Sequence, residues 1–158
     1  MYIRTVCLRS SQILLIPGGF HLVIHQSAED YLEVILVLRK RIGMVRSIDI
    51  VNELHYTKPS VSIAMKKLRE NGYIETDPEG YITLTQQGRE VAERIYERHQ
   101  VLCALLTSLG VDEETAAADA CKIEHVISDA SFAAIKNFAE KLRKDLAYSL
   151  QTTRLLSG

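Results

Sequence analysis

The segment VRSIDIVNELHYTKPSVSIAMKKLRENGYI, residues 45–74, decides the fold of this chain. Apolar residues recur at helical spacing in both of its halves, first at Ile48, Val51 and Leu54 and then at Val61, Ala64, Met65 and Leu68. Ser47 is expected to cap the first helix, Pro59 suits the first turn of the second, and Gly72 suits its end. Two short helices joined by the tight turn HYTK predict a helix-turn-helix.

Two β-prone runs follow this segment, at residues 73–75 and 81–85, and Asp-Pro-Glu-Gly separates them. Turn residues between such runs predict a β-hairpin, and a hairpin directly after a helix-turn-helix forms the wing of a winged helix. The tip of this wing is acidic at Asp77 and Glu79, which would repel phosphate. We therefore expect the wing not to be the main DNA contact.

Helical periodicity covers most of the remaining chain. A first helix is expected from Ser27 to near Gly43, a long one from the cap Thr85 to Gly110, and two more in the residues that follow. The fold is therefore predicted to be mainly α, with a winged helix-turn-helix DNA-binding domain in residues 27–84 and an all-helical domain in residues 85–158. The second part is short and apolar, so we expect it to dimerise, and a two-fold dimer would match a palindromic DNA site.

Composition limits the class of protein. The chain has 158 residues, 47% hydrophobic and 25% charged, with a net charge of -1, so any nucleic-acid surface must be local. Its three cysteines are too few for a disulfide scaffold and favour a cytoplasmic setting. Residues 1–26 lack the apolar length of a secretory signal or a membrane span, and we expect an N-terminal extension that is either disordered or non-native.

The second helix of the helix-turn-helix carries the residue types that contact DNA. Its non-core positions carry hydroxyl groups and amines, which suit phosphate contacts and some base readout. Two residues at the start of the helix-turn-helix, just before its first helix, could also contact the DNA backbone. The alternative is that they are ordinary solvated residues. The predicted DNA contacts are Arg46, Ser47, Thr57, Lys58, Ser60, Ser62, Lys66 and Lys67.

A thiol, a carboxylate and an imidazole occur within five residues in the motif CKIEH, residues 121–125. On a helix, Cys121, Glu124 and His125 would project from one face and could hold a divalent cation. Alone, the motif is weak evidence for a metal site. A small buried cysteine next to a solvent-exposed glutamate and histidine would give the same sequence. Asp30 and Glu33 also share a helical face, although acidic residues near a helix start serve the helix dipole as well.

Five features follow one another in residues 27–145: the segment SAEDYLEVILVL, the helix-turn-helix, the wing, the segment ERHQVLCALL and the segment GVDEETAAADACKIEHVIS. In this order they resemble the diphtheria-toxin-repressor and manganese-transport-regulator family of metal-dependent repressors. The resemblance implies that residues 85–158 form a metal-binding and dimerisation domain. It also implies a ligand set of Asp30, Glu33, His99, Cys121, Glu124 and His125. Cys121 resembles the iron branch, whereas the pair Asp30 and Glu33 resembles the manganese branch. Cys103 falls where many members have a second-site glutamate, and we expect either a spare soft ligand or, preferably, a buried core thiol.

The expected function is that of a homodimeric repressor of manganese or iron uptake genes. Its co-repressor is expected to be Mn²⁺ or Fe²⁺, and its partner a palindromic double-stranded operator rather than a membrane. One alternative is a winged-helix regulator that senses oxidants through Cys121 or Cys103. A hydrolase with Cys121 as nucleophile and His125 as base lacks a third orienting group, so we do not expect an enzyme. A partner-binding module would leave the ligand pattern unexplained.

Overall fold

The computed structural model describes the backbone of residues 26–156 and the side chains of residues 26–144. The predicted N-terminal extension lies outside the described residues, apart from Gln26. The described elements are α1 (Gln26–Ile42), β1 (Val45–Arg46), α2 (Ser47–Leu54), α3 (Lys58–Glu70), β2 (Ile74–Thr76), β3 (Tyr81–Leu84), α4 (Gln86–Ser108), α5 (Glu113–Ile123) and α6 (Asp129–Leu156). The predicted fold class, mainly α with a helix-turn-helix, a small wing and a helical second part, is confirmed.

A three-stranded antiparallel sheet forms the wing, in the order β1-β3-β2. The hairpin of β2 and β3 matches the prediction, whereas β1 was not predicted, because two residues give no period to recognise. In the turn, Gly80 has a φ of +85°, which glycine adopts without strain. The Asp77 carboxylate accepts a hydrogen bond from the Tyr81 N–H at 2.7 Å, so this acidic residue has a structural role in the turn.

The core of the first part is built around α1. Eight successive residues of α1, Tyr31 through Leu38, are buried, so this helix packs on more than the one face that periodicity predicted. The described residues up to and including Glu97 form one compact unit, in which α1 packs against α2, α3, β1 and β3. Its buried apolar residues include Leu32, Ile35, Leu38, Val45, Ile50, Leu54, Val61, Met65, Leu68, Ile74 and Ile82.

The caps of the helix-turn-helix differ in one detail from the prediction. Ser47 is the first residue of α2 rather than its cap, and the side chain of Asp49 accepts a hydrogen bond from the Arg46 N–H at 2.7 Å. For α3 the cap is Thr57, whose hydroxyl accepts a hydrogen bond from the Ser60 N–H at 3.3 Å. The first turn of α3 is therefore fixed by the side chain that precedes it.

The start of α4 is fixed to the end of the helix-turn-helix. Thr85 accepts a hydrogen bond from the Gly88 N–H at 3.1 Å and donates one to the Gly72 carbonyl at 2.7 Å. A Cβ atom at Gly88 would stand 1.9 Å from the carbonyl oxygen of Tyr73, so only glycine allows this close approach.

The second compact unit begins at Arg98, inside α4, and comprises the rest of that helix with α5 and α6. Asp112 caps α5 by accepting a hydrogen bond from the Thr115 N–H at 2.9 Å, and the Ser128 hydroxyl accepts one from the Ser131 N–H ahead of α6. Among the described helices, none combines the length and the apolar character that crossing a membrane requires.

Candidate metal centre and DNA-binding surface

The CKIEH motif is only partly helical. Helix α5 ends at Ile123, and Glu124 is its C-cap, so the expectation that a helix carries the whole motif is wrong for Glu124 and His125. The backbone of Glu124 nevertheless keeps right-handed angles, with φ -56° and ψ -31°. The three side chains therefore stay together, and ligand atoms of Cys121, Glu124 and His125 lie within 4.8 Å of one another.

Arg98 explains where α5 ends. Its guanidinium donates hydrogen bonds to the carbonyls of Glu124 and Ile127, at 2.9 Å and 3.1 Å, and pairs with the carboxylate of Asp129. Carbonyls at a helix end have no intrahelical partner, and here a buried cation supplies one. No residue near Arg98 in the sequence indicates this role, because its partners lie 26 or more residues away.

Glu124 stands at the centre of the cluster and is fully buried. One carboxylate oxygen lies 2.8 Å from Nδ1 of His99, and the other lies 3.3 Å from Nε2 of His125. Burial acts to raise the pKa of Glu124, but the close approach of His125, the hydrogen bond with His99 and the charges of both rings outweigh it, so the pKa lies below its ordinary value. Both imidazoles thus keep a buried carboxylate ionised.

Cys103 extends the cluster on the other side of His99. Its Sγ lies 3.4 Å from Nε2 of His99 and 3.8 Å from the carbonyl oxygen of Ala116. The preferred expectation of a buried core thiol is wrong in one respect, because Cys103 is only partly buried, whereas Cys121 is buried. One turn separates Cys103 from His99 on α4, so both side chains face α5.

The donor set of the second unit fits a divalent transition metal. Such ions bind thiolate sulfur at about 2.3 Å and imidazole nitrogen or carboxylate oxygen at about 2.0–2.2 Å. Ligand atoms that lie within 4.8 Å of one another can reach one ion by small side-chain movements. A buried carboxylate flanked by two imidazoles and a buried thiol is also costly unless each group has a partner, and a cation is a partner for all of them.

The other predicted ligands lie on α1 in the first unit. Glu33 is buried and Asp30 is half-buried, one helical turn apart. Burial of the Glu33 carboxylate is unusual for a residue that only serves a helix dipole. Their role as metal ligands stays a prediction.

The predicted DNA contacts are at the surface of the first unit. All eight are exposed except Ser47, which is half-buried. Arg46 stacks its guanidinium over the ring of Tyr81 at 4.2 Å, which positions this cation on the sheet. Lys66 lies 3.8 Å from Glu70 in an exposed pair of little strength, so its amine remains available to phosphate.

The chain has a winged helix, and a helical unit with clustered thiol, carboxylate and imidazole groups follows it. This combination defines a class of proteins that couple metal binding to DNA binding. Residues 24–81 match the family described as iron dependent repressor, N-terminal DNA binding domain. Residues 85–148 match iron dependent repressor, metal binding and dimerisation domain. The chain belongs to this iron-dependent repressor family, which confirms the resemblance seen in the sequence. It is a metal-dependent transcriptional regulator and not an enzyme.

Relatives of known sequence or structure agree. An HTH-type transcriptional regulator of Methanocaldococcus jannaschii is 36% identical over 120 residues, 75% of this chain and 96% of the relative. The transcriptional regulator MntR of Escherichia coli is 34% identical over 113 residues, 72% of this chain and 73% of MntR. A solved manganese-dependent transcriptional repressor in complex with manganese is 28% identical, with a TM-score of 0.65 over 72% of this chain. The match covers 52% of that longer structure.

Proposed function

We propose that this protein is a homodimeric repressor of manganese or iron uptake genes and that Mn²⁺ or Fe²⁺ is its co-repressor. The observation that carries the proposal is the fully buried Glu124, which is held between two imidazoles beside a buried thiol. In this proposal residues 27–84 bind a palindromic operator in the cytoplasm, and residues 85–158 bind metal and dimerise.

The proposed ligands come from two parts of the chain. His99, Cys121, Glu124 and His125 are gathered in the second unit, and we assign Asp30 and Glu33 of α1 to the same function. A bound divalent cation would supply the positive charge that lets several carboxylates share one site. In this proposal, the carboxylates of Asp30, Glu33 and Glu124 would repel one another if they met without a metal, which would disfavour the arrangement that binds DNA.

Such an arrangement makes metal and DNA binding reciprocal. Two recognition helices of a dimer must be about 34 Å apart, or a multiple of that distance, to enter successive major grooves on one face of DNA. If metal favours the matching arrangement, metal raises the affinity for DNA by the same factor by which DNA raises the affinity for metal. The corresponding coupling free energy is typically about 1–3 kcal/mol.

The choice of metal depends on Cys121. Carboxylate and imidazole ligands suit Mn²⁺, while a thiolate shifts preference towards iron, cobalt or zinc. MntR and the solved repressor, which its title calls manganese-dependent, support manganese, and the buried thiol supports ferrous iron. We favour manganese, with ferrous iron as the close alternative.

The test is an anaerobic fluorescence-anisotropy titration of the protein onto its own upstream DNA, with chelator, Mn²⁺ and Fe²⁺ in turn. We expect tight binding only with metal, and the more effective ion identifies the co-repressor. A Cys121→Glu variant should shift the preference towards Mn²⁺. Equal binding under chelator and metal would contradict the proposal.

A second candidate function is oxidant sensing, which Cys103 favours because it is only partly buried and its sulfur lies 3.4 Å from His99. Thiols beside an imidazole are prone to oxidation when exposed. This alternative expects DNA binding to respond to peroxide in the presence of chelator and to be insensitive to peroxide in a Cys103→Ser variant.

A further inference from the structure

The outward face of α3 carries an isoleucine that the core does not use. Ile63 is 58% exposed, although Val61 and Met65, two residues before and after it, are buried. Two residues are a little over half a helical turn, so Ile63 points away from the core. Isoleucine is also a poorer helix former than lysine or glutamate, so helix stability gives no reason for it at an exposed position.

Ile63 lies where a recognition helix reads bases. It is in the second turn of α3, whose first turn is fixed by the Thr57 cap. Residues near the N-terminus of such a helix contact base edges in the major groove. Ser62 and Lys66, on the same outward side, are exposed and carry groups suited to phosphate or base contacts.

The side chain of isoleucine has no donor or acceptor, so it cannot read the hydrogen-bonding pattern of a base pair. The apolar feature that the major groove offers is the C5-methyl group of thymine. We infer that Ile63 contacts a thymine methyl in each operator half-site and makes the protein select thymine at that position.

The alternative is a packing role. Ile63 also lines an open groove of about 680 Å³ next to Tyr56 and Lys67. If the groove were filled by protein, Ile63 would contribute to stability and not to base selection. The two roles make different predictions, because removal of a methyl group from DNA affects only the first.

The experiment compares thymine with uracil, which lacks the methyl group. An operator is first selected from a random duplex library with the metal-loaded protein. Each thymine of a half-site is then replaced by deoxyuridine, and affinity is measured by fluorescence anisotropy with Mn²⁺. We expect one position at which the replacement weakens binding by about fourfold per half-site, the effect of losing one buried methyl group.

Variants connect this loss to Ile63. In Ile63→Ala the difference between thymine and uracil at that position should disappear, while Lys66→Ala should weaken binding to both duplexes equally. Ile63→Gln should select adenine there, since glutamine pairs with the adenine edge. Thermal unfolding of Ile63→Ala should match that of the wild type.

Two results would overturn the inference: no thymine is sensitive to loss of its methyl group, or the sensitivity persists in Ile63→Ala. A lower melting temperature of Ile63→Ala with unchanged discrimination would assign the residue to packing. The inference rests on the proposed metal-dependent DNA binding, yet it fails separately. Absence of any selected operator with Mn²⁺ or Fe²⁺ contradicts the proposed function, whereas a bound operator without a methyl effect contradicts only the role of Ile63.

Discussion

Replacement of Arg98 by methionine should destabilise the second unit strongly. The guanidinium gives hydrogen bonds to the buried carbonyl of Glu124 and the half-buried carbonyl of Ile127. Hydrogen bonds from a charged donor contribute about 1.5–3 kcal/mol each, so two of them represent about 3–6 kcal/mol. Because Nε of Arg98 is buried without a hydrogen-bond partner among the described residues, the substitution also removes a cost, and we expect a loss of about 3 kcal/mol.

The measurement is urea unfolding of the metal-free protein, followed by circular dichroism. With a urea slope of about 2 kcal/mol/M, the midpoint of Arg98→Met should fall by about 1.5 M. Arg98→Lys keeps the charge, but its shorter side chain brings the ammonium less close to the two carbonyls, so it should lose about half as much. Metal affinity, followed by the electron paramagnetic resonance signal of free Mn²⁺, should fall in both variants, since the backbone of Glu124 is no longer fixed.

Asp129→Ala is the matched control. The carboxylate of Asp129 pairs with Arg98, but its side chain is 92% exposed, and an exposed partner in water contributes little. Its urea midpoint should stay close to that of the wild type. If Arg98→Met unfolds at the wild-type midpoint and binds Mn²⁺ equally well, the hydrogen bonds of Arg98 do not organise the end of α5, and the reasoning is refuted.

Three further predictions concern other parts of the chain. Gly88→Ala should lower the melting temperature of the DNA-binding unit, because overpacking against Tyr73 should reduce the free energy of unfolding by more than about 2 kcal/mol. The control Gln87→Ala changes an exposed residue and should leave the melting temperature unchanged. Equal melting temperatures for the two variants would contradict the close approach of Gly88 to Tyr73. Because the pKa of Glu124 is lowered in the folded protein, its carboxylate stabilises the fold fully above the pKa that Glu124 has in the unfolded chain, and this stabilisation is lost as pH falls through the folded pKa. Acid should therefore lower the urea midpoint of the metal-free wild type more than that of Glu124→Gln. Cobalt-loaded wild-type protein should show thiolate-to-cobalt absorption that Cys121→Ser lacks, and an unchanged spectrum would exclude Cys121 as a ligand.

Local patterns were sufficient to predict most of the helices. The apolar spacing of α2 and α3, the Pro59 start and the Gly72 end all depend on neighbouring residues, and the structure has the two helices where they were predicted. The hairpin depended equally on local turn residues. For such elements the information lies within one or two turns of chain.

What sequence reasoning missed depends on distant contacts. The end of α5 at Ile123 requires Arg98 from another helix, and nothing within the CKIEH motif indicates it. Strand β1 exists because β3 pairs with it, since Val45 lies opposite Ile82 across a gap of many residues. The partial exposure of Cys103 likewise follows from packing that periodicity alone does not give.

The order of the ligand residues along the chain has a consequence for biosynthesis. Arg98 and His99 are adjacent, and their partners Glu124 and Asp129 follow between the end of α5 and the start of α6, with Cys121 and His125 beside Glu124. Contacts between residues this close in sequence form quickly, because little chain entropy is lost in closing the loop. A ribosome releases Asp30 and Glu33 well before this stretch, so the buried thiol–imidazole cluster is the last part of the proposed ligand set to be synthesised and can assemble as soon as residues 98–129 have emerged.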